Sequence, residues 1–143
     1  MAVVILRNRN AQIEITDSGG TARDLTAYWI NGHPELSDDV VDVVTFADLA
    51  HRNNPGLQNA TVRLTFNDFT LATNAAYKVV TDLLASNTTG RSVVYYPDGT
   101  ASGKPKVTVP MRVMRVAFAG GVGEQLTFDA EFAVDGTRTI GTV

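Results

Sequence analysis

Asp129 and Glu131 are the residues of this chain best spaced for joint chemistry. On one strand they share a face, about 7 Å apart along it, and a carboxylate pair can in principle serve glycoside hydrolysis. Such a pair needs a pocket and an aromatic platform for the sugar, and no aromatic residue shares that face. The two therefore read as a wet, acidic strand face. His33 and His51 stand eighteen residues apart in different loops, and only His51 with Asp48 makes a close pair. No third ligand completes a metal motif, so both read as solvated loop histidines. Gly120, Gly121 and Gly123 lie between two strand patterns and not before a helix, which makes them a hairpin turn rather than a phosphate cradle. The chain has no Gly-x-Ser-x-Gly elbow, no phosphate loop and no Gly-x-Gly-x-x-Gly. Five of the 12 basic residues, Arg91, Lys104, Lys106, Arg112 and Arg115, fall within 91–115. Without interleaved aromatics to stack on bases they read as a solvated edge or as subunit salt bridges. No catalytic residue, metal site or cofactor is expected, and the chain is not expected to be an enzyme.

The elements that carry these residues are mostly strands. Residues 11–16 alternate apolar and polar, and Asp17-Ser18-Gly19-Gly20 follows as a hairpin turn. Residues 23–30 read as a second, less regular strand, broken by Asn31-Gly32-His33-Pro34. Thr61 to Phe69 alternates again, with Val62, Leu64 and Phe66 on one face. Ala76, Val79, Val80, Leu83 and Leu84 recur at helical spacing, so residues 74–86 read as the one helix, capped by Thr73 or Asn74. Ser92 to Tyr96 is a strand ending at the turn Pro97-Asp98-Gly99. Residues 106–118 form a long strand whose parity shifts near Met114 or Arg115, as a bulge would cause. In residues 124–134, Leu126, Phe128, Phe132 and Val134 point inward, and Gln125, Thr127, Asp129 and Glu131 outward. Residues 137–143 read as a polar tail.

Residues 35–57 fit no period. Five of the 15 acids, Glu35, Asp38, Asp39, Asp42 and Asp48, fall there among Val40, Val41, Val43, Val44 and Phe46. Pro55-Gly56 suits the centre of a type II turn. A connection of this length is functional or disordered, and its valines and Phe46 argue against disorder. It reads as a long extended arm loop that buries its apolar residues against something. The fold class that follows is mainly β: an antiparallel β-sandwich or barrel with one flanking helix and this arm, all in one domain over residues 1–143.

Composition narrows the function. The chain has no cysteine, which excludes disulfides, thiol nucleophiles and thiolate metal sites. Its hydrophobic fraction of 44% excludes wholesale disorder, and no apolar run is long enough to span a bilayer as a helix. The net charge of −3 is the wrong sign for a general nucleic-acid binder. MAVVILRNRN is too short and wrongly flanked for a signal peptide. A domain without catalytic equipment, but with an arm and open sheet edges, points to assembly.

The run Asp42-Val43-Val44-Thr45-Phe46, followed by Asn54-Pro55-Gly56-Leu57-Gln58-Asn59-Ala60-Thr61-Val62, resembles the tail tube proteins of long-tailed bacteriophages. In that family an acidic residue, a threonine and an aromatic precede Pro-Gly-Leu-x-x-Ala-Thr at the start of a central strand. A helix like residues 75–84, a strand like residues 93–99, and two long strands like 106–118 and 124–134 follow in the same order. The likeness covers about residues 10–136, and the first ten residues match nothing in it. Contractile tails, the type VI secretion tube and gene-transfer particles share the fold.

The resemblance implies a virion protein, made in the host bacterial cytoplasm, that assembles into stacked rings, usually hexameric. The rings form a hollow tube through which DNA passes during ejection without specific binding. Implied partners are further copies of the chain and other tail proteins, namely tape measure, terminator and distal tail. The arm residues Asp42, Val43, Phe46, Pro55, Gly56 and Leu57 are then candidates for the subunit or ring interface. Gln125, Thr127, Asp129 and Glu131 are candidates for the lumen face, because an acidic lining repels DNA. Alternatives are a related distal or terminal ring protein, a secretion-tube protein and, from another class, a monomeric β-sandwich ligand-binding module or a small hydrolase using Asp129 and Glu131.

Overall fold

Strict alternation in the sequence becomes strands with one buried face. The computed structural model describes residues 10–43, 52–67, 75–86, 90–120 and 122–143, with backbone alone for 39–43 and 52–59. The strands are β1 (Gln12–Thr16), β2 (Ala22–Asp24), β3 (Trp29–Asn31), β4 (Pro34–Val43), β5 (Arg52–Phe66), β6 (Arg91–Tyr96), β7 (Pro105–Ala119), β8 (Thr127–Val134) and β9 (Thr139–Thr142), and the helix is α1 (Ala76–Ser86). All pairings are antiparallel, in the order β2-β1-β6-β7-β8-β5-β3, with β4 beside β5 and β9 beside β7.

The sheet curls around a core of Ile13, Ile15, Val62, Leu64, Phe66, Val93, Val109, Met111, Phe128 and Phe132. Helix α1 adds Ala76, Val79, Val80 and Leu83 to that core. The Phe66 and Phe128 rings lie 5.5 Å apart, and Tyr77 of the helix meets Phe128 edge-on at 6.1 Å.

The two end strands of the curl, β2 and β3, do not pair. A 3-10 turn over Thr26–Tyr28 joins them. Leu25 N, just before it, donates to Ile13 O (3.1 Å), Thr26 Oγ1 accepts from Ile13 N (3.1 Å), and Tyr28 O accepts from Asn67 N (3.1 Å). The single strand expected over residues 23–30 is thus interrupted. The Asp24 carboxylate accepts the Thr26 N–H at 3.0 Å and turns the chain out of the ladder.

Gly32 makes the next turn possible. Its φ is +91°, and a Cβ there would stand 2.0 Å from the Arg63 carbonyl oxygen. At the first hairpin, Asp17 Oδ1 accepts from the Gly19 and Thr21 amides at 3.0 and 2.9 Å.

The register of β7 on β8 shifts between Val113 and Arg115, which leaves Met114 exposed as the bulge residue the parity shift required. The last strand is shorter than its alternation suggests. β8 begins at Thr127, opposite Ala119, so Gln125 and Leu126 belong to the connection, and Leu126 is 54% exposed. Residues 139–142 of the expected polar tail instead form β9, which continues along the edge of β7 beyond β8. The helix begins at Ala76, and its expected caps, Thr73 and Asn74, lie outside the described residues.

Candidate assembly surfaces

Two surfaces stand out: an arm built from β4 and β5, and the sheet face that turns away from the core.

The arm is a paired ribbon. β4 and β5 run in register from Pro34↔Val62 to Val43↔Arg52. The residues expected to form a type II turn, Asn54-Pro55-Gly56-Leu57, lie within β5 instead. Val40 pairs with Pro55 and Asp38 with Gln58, so Gly56 and Leu57 together oppose Asp39 in a bulge. Proline is tolerated at such a place because it has no N–H to give, and β5 is paired there on one edge only. Asp42 and Val43 lie at the far end of β4, and Phe46 lies outside the described residues, as does His51. The strands thus bring Asp42, Val43, Pro55, Gly56 and Leu57 onto one ribbon.

Its base is clamped by a residue from the far end of the sequence. Arg138 Nη1 donates to Ser37 O and Nη2 to Asp38, both at 2.8 Å. The Arg138 side chain is largely covered, which makes this pair firmer than a surface contact. Nothing in the local sequence signals it, because the partners are 100 residues apart.

On the sheet face, Thr127, Asp129 and Glu131 point away from buried Phe128, Ala130 and Phe132. Cross-strand register adds Glu35, Thr61, Arg63 and Thr65 on one side and Arg112, Arg115 and Ala117 on the other. Asp129 Oδ1 accepts from Thr65 Oγ1 at 2.6 Å. Glu131 pairs with Arg63 through Oε1 and lies 3.7 Å from Arg115 Nη1 through Oε2. The face read from one strand as acidic is thus balanced, three arginines against three carboxylates across β4, β5, β7 and β8 among the described residues. Gln125 lies off it, in the connection before β8.

Lys104 and Arg91, from the same basic stretch, are engaged within the chain. Lys104 meets Asp98 at 2.7 Å, and that bond keeps the Asp98 carboxyl below the ordinary range. Arg91 Nη2 donates to Ser18 O at 2.9 Å.

Small-molecule chemistry finds little here. A cleft of about 350 Å³ is lined by Thr26, Trp29, Asn31, His33 and Tyr95. Its tryptophan is already committed, because Trp29 Nε1 donates to Asn31 O and Gly32 O, both at 2.9 Å. Among the described residues no three His, Asp or Glu side chains converge on a metal position, and no helix is long and apolar enough to cross a membrane.

Comparison with solved structures decides the architecture. The tail of an empty gene transfer agent particle, refined with C6 symmetry, superposes with a TM-score of 0.75 at 12% identity, over 96% of this chain and 99% of that one. The SPP1 tail tube superposes with a TM-score of 0.76 at 9% identity, over 97% of this chain and 80% of that one. This chain has the tail-tube fold. The cap that terminates the anti-feeding prophage tube shares it, with a TM-score of 0.69 at 8% identity over 100% and 95% of the two chains. No family model and no curated protein matches the sequence. The tail-tube fold is therefore carried here at 8–12% identity to these structures.

Proposed function

We propose that the chain is a structural tail subunit, not an enzyme, which self-assembles into stacked, six-membered rings enclosing a channel for DNA. The observation that carries this is the likeness over nearly the whole chain to proteins in a tail of C6 symmetry and in a tail tube. The arm supports it, since a ribbon paired on one edge offers its free edge to a neighbour. Head-to-tail stacking of rings is a heterologous contact that does not close, so it yields a filament.

In this reading the β4–β5 arm, with Asp42, Val43, Phe46, Pro55, Gly56 and Leu57, makes the contact between subunits or rings. The face bearing Thr127, Asp129 and Glu131 lines the channel, with Gln125 at its rim. DNA passes without specific binding, further tail proteins close the ends, and the subunit resides in the tail of a virion after synthesis in a bacterial cytoplasm.

Negative-stain electron microscopy across a concentration series tests this. Hollow rings or tubes are expected. Small featureless particles at every concentration would overturn it in favour of a monomeric binding module.

A further inference from the structure

We propose that Glu131 masks Arg63 and Arg115 from phosphate, and that this one carboxylate keeps the charged sheet face from adhering to duplex DNA. The role in DNA passage rests on the channel reading above; the masking itself rests on the geometry of the side chains.

Glu131 is placed between two strands that approach it from opposite sides. Arg63 on β5 and Arg115 on β7 are both its cross-strand neighbours. Each faces a different oxygen: Arg63 donates to Oε1, and Arg115 is ion-paired with Oε2 across 3.7 Å. Their exposures differ sharply. The Glu131 side chain is 15% exposed, while Arg63 and Arg115 are 67% and 64% exposed. A polyanion arriving at this face therefore meets guanidinium groups first, with a carboxylate beneath them.

A guanidinium fork fits carboxylate and phosphate alike, so the two anions compete for an N–H of Arg63 and for the charge of Arg115. With Glu131 ionised, an incoming phosphate must displace one anion and approach against its charge. The two arginines pair with Glu131 and not with Asp129, whose Oδ1 accepts from the Thr65 hydroxyl.

Repetition makes the masking matter. In a tube the face recurs on every subunit along the DNA, and a weak attraction per subunit would add up to a strong grip over many. A conduit in which two exposed arginines per subunit were free would hold its cargo.

The test compares wild type, Glu131→Gln, and the triple variant Glu131→Gln, Arg63→Gln, Arg115→Gln. Each is titrated as dispersed subunits with a short fluorescent DNA duplex over rising salt. Glu131→Gln is expected to bind about tenfold more tightly or better at low salt. Its salt slope should steepen by about 1.8, the value for two added phosphate contacts. The triple variant, with both guanidiniums gone, is expected to lose the gain and bind no more tightly than wild type. An unchanged affinity and slope in folded Glu131→Gln would overturn the proposal, as would a gain that survives in the triple variant.

If Glu131→Gln does not fold, Glu131→Asp takes its place. It keeps the charge but draws it back by one methylene, and a smaller gain is expected; no gain overturns the masking role. The same titration on assembled tubes separates the two readings. A gain in dispersed subunits that disappears when the channel is closed to external DNA fits both. A gain undiminished on intact, end-capped tubes removes the face from the channel and leaves the masking role standing.

Discussion

The curled barrel and the arm obey different rules. In the barrel the central strands have one face against the core, and their sequences show it: Val62, Leu64 and Phe66 on β5 and Phe128, Ala130 and Phe132 on β8 are all buried. In the arm β4 and the first half of β5 pair with each other alone, beyond the reach of β8 and β3. Strands that run on past the ladders of their neighbours need not keep the period of the barrel, and residues 35–57 show none. Leu36, near the base of the arm, still packs against the core, and in the reading proposed above the arm beyond it answers to a neighbouring subunit.

The largest test of this contrast removes one region at a time. Replacing residues 38–52 by a tight turn is expected to abolish rings and tubes while leaving a folded monomer with an unchanged far-UV spectrum per remaining strand. Unchanged assembly on sizing and microscopy would end the interface role of the arm. Phe128→Ala should do the reverse. Its ring is fully buried against Phe66, with Tyr77 and Phe118 beside it. About 3–5 kcal/mol of stability is expected to go, seen as a lower denaturant midpoint with the arm sequence intact.

A smaller change probes the joint between the two regions. Arg138→Gln loses the charge-assisted bonds to Ser37 O and Asp38 at the base of the arm. It should cost the monomer about 1–2 kcal/mol and raise the concentration needed for assembly. An effect on stability with none on assembly would show that the clamp serves the barrel alone.

The smallest effect belongs to the barrel's first turn. Burial pushes the Asp17 carboxyl up, but the Arg23 side-chain bond, the Thr21 and Gly19 amides and the Arg23 charge outweigh it, so the group titrates below the usual carboxylate range. Its folded pKa lies under its unfolded one. The stability it adds is therefore full at neutral pH and lost as pH falls through the folded value. The gap between wild type and Asp17→Asn in denaturant midpoint should narrow steadily on acidification below about pH 4.

Much of the barrel was legible in the residues because burial imposes a period. The alternation of β5 and β8, the helical stripe at Ala76, Val79, Val80 and Leu83, and the parity shift at Met114 all register contact with one core. What escaped were features set by distant partners. Pro55-Gly56 is turn chemistry in isolation and becomes a bulge once β4 lies opposite. The face of Asp129 and Glu131 is acidic on its own strand and balanced once β5 and β7 bring their arginines beside it. Thr139–Thr142 has no apolar alternation, and its edge position on β7 does not demand any. The arm could be located in the sequence because it broke the rule of the barrel, while its ribbon pairing could not.

The union of β2 and β3 by a 3-10 turn, without a ladder between them, has a mechanical meaning. Elsewhere around the curl, widening the barrel means stripping a row of interstrand bonds. Along that line it means loosening the few bonds of residues 25–28 to Ile13 and Asn67. Among the described residues the line between β2 and β3 is thus a seam closed by a handful of bonds rather than by a ladder, and in the tube proposed above it is there that the wall of each subunit would give first.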